Sequence, residues 1–161
     1  MPIIERQPRG ILRWGLRLPI WLYRLRLGWL LGERFLLLTH TGRKSGLPRQ
    51  TVLEVIRHDP ATNTYFVAAA WGDKSDWFRN ILHDANVTIT VRRRNLATLA
   101  ERLSVEAGTS ELLDYAHRYP RAFREITRVV TGQPLVGTPE ICRQLSKSMP
   151  VVALRPRSTA G

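Results

Sequence analysis

Strand-type patterns fill the middle of this chain and helix-type patterns lie at its two ends, which predicts an α+β fold: a small barrel-like sheet with peripheral helices. Three observations carry that expectation. Residues 35–105 break into short β-rich runs separated by turn clusters. The stretches after them carry helix starts and stops, and no internal repeat is visible. At 161 residues the chain suits one domain with a real hydrophobic core. Its boundaries read as a basic amphipathic helical segment over 1–34, a sheet domain over 35–156 and a tail over 157–161.

The first element is residues 11–31, ILRWGLRLPIWLYRLRLGWLL. Arg13, Arg17, Arg24 and Arg26 interrupt the apolar run, which argues against a transmembrane span. Arginines inside the apolar stretch, with no small-residue cleavage site after it, also argue against a secretory signal. On a helical wheel Arg13, Arg17 and Arg24 share one side, while Trp14, Trp21 and Trp29 belong to the apolar remainder. Pro19 kinks or divides the helix. Such a segment either lies at a membrane interface with its arginines at the headgroups, or docks on the domain or a partner subunit.

The sheet begins with strands over Phe35–Thr41 and Thr51–Arg57, joined through a glycine turn. Asp59–Asn63 is a turn cluster and Thr64–Ala70 a third strand. A short helix is expected over Asp76–Asp84, with Ser75 as its N-cap and Trp77, Phe78, Ile81 and Leu82 on its apolar side. Val87–Val91 alternates as a half-buried strand. Arg92–Asn95 reads as a basic hairpin turn and Leu96–Val105 as the return strand. Thr109 or Ser110 would cap a helix running to Tyr119. Pro120 opens a second helix that Gly132 closes, and Thr138–Glu140 starts a third. Met149–Leu154 is the last strand.

The net charge of +12 favours anionic partners: phosphorylated cofactors, acidic lipid or nucleic acid. Arginine supplies nearly all of it, Lys44, Lys74 and Lys147 being the only lysines. No basic helix is patterned for a groove, so nucleic acid has charge alone behind it. Cys142 stands alone, which excludes an intramolecular disulfide and suits a reducing cytoplasm. His40, His58, His83 and His117 form no ligand-spaced pair, so no metal site is expected, and each reads as a surface or strand-end histidine. No nucleophile–base–acid set stands out.

The most informative stretch is Leu36–Arg49, LLLTHTGRKSGLPR. Gly42 and Gly46 bracket Arg43, Lys44 and Ser45, and glycines let backbone N–H groups approach a ligand. Two cations and a hydroxyl in one turn suit an oxyanion such as phosphate. The same residues also suit a solvated hairpin turn.

Taken in order, LLLTHTGRKSGLPRQT, YFVAAAWGDKSDWFRNI and VTITV resemble the deazaflavin-dependent nitroreductase family, over about Phe35 to Glu106. The resemblance implies a split β-barrel, similar to the flavin mononucleotide (FMN)-binding split barrels, that binds coenzyme F420 and forms a homodimer. It implies hydride transfer from the reduced deazaflavin to a quinone, nitro compound or activated alkene. Position by position it implies that Arg43, Lys44, Ser45 and Gly46, with Arg49, hold the cofactor's anionic groups. Ala69, Ala70, Gly72, Lys74 and Ser75 would lie along the cofactor, and Trp77 and Asn80 match the family's residues at the helix start. The chain departs from many members in the short Gly72–Asp76 connection. Trp77 reads more readily as a core aromatic than as a ring-stacking residue, Asn80 also as a loop-bonding amide, and Arg79 either as a phosphate contact or as a partner of Asp76 or Asp84. Ser75, Tyr115 and Tyr119 are candidate proton donors. The Trp- and Arg-rich start points to a lipophilic acceptor and to a cytoplasmic protein peripheral on the inner face of the plasma membrane. Two alternatives remain: FMN in the same barrel, or a non-catalytic lipid-, fatty-acid- or cofactor-binding module.

Overall fold

The computed structural model describes residues 34–158. The amphipathic segment over 11–31, with its Pro19 kink, lies outside the described residues, as does most of the 1–34 unit. Six strands form a closed antiparallel barrel: β1 (Phe35–Thr41), β2 (Pro48–Asp59), β3 (Thr64–Ala68), β4 (Asn86–Val91), β5 (Arg94–Arg102) and β6 (Val151–Pro156). Their order around the wall is β1–β2–β3–β6–β5–β4, with β4 pairing back onto β1. Four α-helices accompany them: α1 (Asp76–His83), α2 (Val105–Arg118), α3 (Pro120–Thr131) and α4 (Pro139–Ser148). None of these is long and apolar enough to cross a membrane.

Alternation along the strands fills the barrel. Leu36 and Leu38 face inward with Val67, Ile89, Val152 and Leu154, all essentially inaccessible. Helix α1 adds Trp77, Phe78 and Ile81 to this cluster, the Trp77 and Phe78 rings meeting edge-on at 6.0 Å. Leu82 is exposed, so it lies outside the expected apolar side.

A second core forms between the outer face of the wall and α2–α4. It joins Ile56, Phe66, Val151 and Ala153 to Leu112, Tyr115, Phe123, Cys142 and Leu145. A bulge between Val55 and Arg57 shifts the register of β2 against β3. It lets Ile56 enter the outer core while Arg57, opposite Phe66, lies over that ring at 4.3 Å. Arg57 also makes two hydrogen bonds, at 2.7 and 2.8 Å, to the Glu111 carboxylate of α2. Arg118 donates to the Ile56 carbonyl at 2.7 Å, so the irregular backbone is satisfied by the helix that covers it. Burial pushes the Cys142 thiol up to about 11, which leaves it an inert core group at neutral pH.

Several boundaries differ from the sequence expectation. Strand β5 ends at Arg102, and α2 begins at Val105, where the Ser104 side chain accepts from the Ala107 N–H. Gly108 and the expected caps Thr109 and Ser110 are therefore inside the helix, and a Cβ on Gly108 would press on Ser146 of α4, so the helix pair needs that closeness. Strand β2 is longer than expected and β3 shorter, and β6 starts only after Pro150. Arg92 and Arg93 form the β4–β5 tip while Arg94 and Asn95 belong to the strand. Ser75 holds the cap position of α1 but its side chain makes no capping bond. Gly132, at φ +82°, closes α3, and Thr138 caps α4, both as expected.

A 3₁₀ turn, Gly72–Lys74, carries the chain from β3 into α1. Gly72 has φ +50°, and a Cβ there would meet the Ser148 carbonyl at 2.6 Å. Gly72→Ala should therefore lower the unfolding free energy by about 2–4 kcal/mol, combining the left-handed penalty with overpacking against backbone. Urea unfolding checks this; a loss under 1 kcal/mol would show that the turn relaxes freely.

Candidate functional site

The β1–β2 hairpin ends in the Gly42–Leu47 turn, which closes on itself. The Gly42 N–H donates to the Leu47 carbonyl at 2.8 Å, the Gly46 N–H to the Gly42 carbonyl at 2.8 Å, and the Leu47 N–H to Ser45 Oγ at 3.2 Å. Gly46 sits at φ +70°, which its lack of a Cβ permits. The N–H groups of both glycines thus serve the turn and are not the ones left for a ligand. Those of Lys44 and Ser45 have no partner among the described residues.

The cations divide into two kinds. Arg43 is tied to α1: its N–H and Nη1 donate to Asn80 Oδ1 at 3.1 and 2.9 Å, and Nη2 pairs with Asp76 at 3.4 Å. Lys44 and Arg49 are exposed and have no ion pair among the described residues. The Arg49 guanidinium lies beside Gly42, so it returns over the turn from the first residues of β2. Two free cations, two unused N–H groups and the Ser45 hydroxyl form an exposed anion-complementary corner.

Beneath the turn, Asn80 Nδ2 approaches His40 Nδ1 at 3.0 Å. His40 is only 5% exposed, in the inward series of β1. Burial first, and then the Arg49 charge, lower its pKa from 6.5 to about 4, against a smaller opposing effect of Asp76. The imidazole is therefore neutral at pH 7. The expectation of surface or strand-end histidines fails on burial here, although His40 does stand next to the end of its strand.

The remaining sequence-selected residues fall into separate surroundings. Ala69, Gly72, Trp77 and Asn80 are buried, Trp77 in the barrel core. Ala70 packs on the outer core, Ser75 is half-buried at the start of α1, and Lys74 is exposed on the 3₁₀ turn. Arg79 donates to the Asp73 carbonyl instead of pairing with Asp76 or Asp84. Tyr115 donates to Glu54 at 2.7 Å, and burial together with that carboxylate pushes its phenol well above the usual range. Glu54 stands opposite Phe35 and Pro48 opposite Thr41, so this pair lies about 20 Å along β2 from the turn. Tyr119 is exposed, with the Arg34 and Arg118 guanidinium groups at 6.0 and 5.2 Å from its ring. A groove of about 340 Å³ beside α3, lined by Phe123, Leu135 and Val136 among others, shares no residue with the turn. Among the described residues no cluster of three potential metal ligands occurs.

His40 is the residue of this corner whose burial departs from a surface histidine. The signal was available: in LLLTH the alternation that buries Leu36 and Leu38 also sends His40 inward.

A family model described as F420H2-dependent quinone reductase matches residues 18–135. No curated protein matches the chain. Among solved structures, an F420-H2 dependent reductase, FDR-A, aligns over 77% of this chain and 96% of its own at 20% identity and TM-score 0.51. A structure described as a domain-swapped dimer covers 85% of this chain and 99% of its own at 19% identity, TM-score 0.52. An FMN-binding, pyridoxamine 5'-phosphate oxidase-related protein from Nostoc punctiforme covers 92% and 81% at 16% identity, TM-score 0.50. At these identities the likeness is one of fold, the split β-barrel.

His40 gives the corner a pH signature. Its folded pKa, about 4, lies below the 6.5 of the unfolded chain, so between these values the unfolded state binds the extra proton. Its contribution is complete above pH 6.5 and is lost as pH falls towards 4. The loss by pH 4.5 should be about 2–3 kcal/mol. Urea unfolding at pH 7 and 4.5 measures it, and His40→Gln should lack this component. An identical pH dependence in both proteins would show that another group titrates.

Proposed function

The chain belongs to the F420H2-dependent quinone reductase family, and we propose that it holds coenzyme F420 by the Gly42–Gly46 turn while a lipophilic, electron-poor acceptor is reduced. Membership makes it a deazaflavin-dependent oxidoreductase. The placement of the cofactor and the acceptor class are our reading.

One observation carries the placement: Lys44 and Arg49 stand beside unused Lys44 and Ser45 N–H groups, in a turn whose other N–H groups are already bonded. That donor set fits the phosphodiester, lactyl carboxylate and polyglutamate tail of the cofactor. Lys44, Ser45 and Arg49 would bind these groups, and Arg43 keeps the turn fastened to α1. The cofactor, when bound, supplies the hydride from its central ring. The protein's part is binding, orientation and exclusion of water. Of the candidate proton donors, the half-buried Ser75 at the start of α1 is favoured, since Tyr115 is committed to Glu54 and Tyr119 lies between two arginines.

A quinone is the preferred acceptor, ahead of a nitro compound or activated alkene. The apolar, arginine-bearing residues 11–31 support meeting it at the inner face of the plasma membrane. The same reading includes a homodimer; one structural neighbour is described as a domain-swapped dimer.

Fluorescence titration with F420 and with FMN tests the cofactor, followed by reduction of menadione with the reduced deazaflavin. Lys44→Ala should weaken F420 binding by about 1–3 kcal/mol, the cost of a lost charge-assisted hydrogen bond. Unchanged affinity would remove the turn from the site, and tight FMN binding without F420 binding would overturn the whole reading. Deleting residues 1–32 should reduce sedimentation with anionic liposomes while leaving F420 affinity intact; undiminished sedimentation would remove the membrane role.

A further inference from the structure

Resting on the cofactor placement proposed above, we infer that His40 is part of that site, presenting its Nε2–H to an acceptor oxygen of the cofactor as a neutral donor fixed by Asn80.

Asn80 Oδ1 accepts two hydrogen bonds from Arg43, one from the backbone N–H and one from the guanidinium. Both are obligate donors, so the amide cannot be turned the other way without facing donor against donor. Its NH₂ must then point at His40, and His40 Nδ1, 3.0 Å away, must be the acceptor. A neutral imidazole that accepts at Nδ1 carries its proton on Nε2. Arg49 and Asp76 are the charged groups that act on this ring, and Arg49 outweighs Asp76, so the neutral state is kept.

That Nε2–H has no protein partner among the described residues. Yet no side-chain nitrogen or oxygen that is fully buried there lacks one. Nε2 therefore reaches an opening, although the residue as a whole is 95% covered, its relative exposure being 5%. A donor held in one tautomer, at the barrel end and beside Arg49, is preorganised for an acceptor arriving at the turn. Asn80 is then a positioning residue: it aligns both the turn and the imidazole without touching the ligand.

The test compares F420 affinity of the wild-type protein, His40→Phe and His40→Gln, with folding monitored by circular dichroism. Phenylalanine fills the space without a donor and should weaken binding about three- to tenfold. Glutamine restores an N–H and should recover most of the affinity. ¹⁵N-labelled histidine adds a readout independent of activity: Nε2 of His40 should show the protonated-nitrogen shift, and that shift should move when F420 is added. Repeating the titration with the deazaflavin lacking its phosphate tail separates the acceptors. Weakening retained there places Nε2–H on the ring system, and weakening lost places it on the tail. Equal affinity of wild type and His40→Phe, or a proton on Nδ1, overturns the inference while leaving the cofactor placement standing. Wild-type protein that binds no F420 overturns both.

Discussion

A buried primary amide has one acceptor and one donor group, and the fold uses those of Asn80 in opposite directions. The oxygen holds the Arg43 backbone and guanidinium, and the nitrogen holds His40. Three parts of the molecule meet through this one side chain: the glycine turn, the inward face of β1 and helix α1. Because Asn80 is 3% exposed, an unmade bond here would not be replaced by water and would cost about 1–3 kcal/mol. The turn is consequently not a loose hairpin tip. Its own hydrogen bonds shape it, and the buried amide fastens it to α1 through Arg43.

The opposite side of the barrel supplies the rigidity against which this arrangement is defined. Strands β2, β3 and β6 are covered inside by the barrel core and outside by α2–α4. The bulge at Ile56 makes the double coverage possible, since it sends Ile56 and Arg57 to the helical side in succession. Each irregularity is answered by a specific partner: Glu111 for the Arg57 guanidinium, Arg118 for the Ile56 carbonyl. The outer polar pair Tyr115–Glu54 belongs to this layer. Its place about 20 Å along β2 from the turn assigns it to holding the helices on the wall.

Much of this was legible in the chain because local physics decided it. Phe35–Thr41 was readable to the residue, since three leucines between a phenylalanine and a Thr-His-Thr run favour a strand. Pro120 and Gly132 marked helix ends by their backbone chemistry, and Thr138 by its capping hydroxyl. The failures come where tertiary contacts override local signals. Thr109 and Ser110 look like helix caps, yet the helix starts at Val105, and the close approach of α2 to α4 at Ser146 makes Gly108 a packing residue within it. The bulge left no local mark in TVLEVIRH, because it exists to satisfy helices far along the sequence. At the site, the basic turn was visible as charge and glycine. The division between a fastened Arg43 and free Lys44 and Arg49 was not, because it depends on Asp76 and Asn80 crossing the fold.

That division bears on how a deazaflavin enzyme can lack a recognisable acid–base set. With the hydride supplied by the cofactor, the protein needs cations that can be neutralised by a ligand and donors whose direction does not change when it arrives. In the proposed placement Lys44 and Arg49 meet the first need, because no acid among the described residues competes for them. In the inferred arrangement His40 meets the second, because the core, not the ligand, sets its tautomer. A charged histidine at the same place would bind an anion more strongly, but it would sit beside Arg49 and repel it. A neutral, directed N–H avoids that repulsion and still distinguishes an oxygen from apolar surface. On that reading the chain separates attraction, which is exposed and ionic, from alignment, which is buried and neutral.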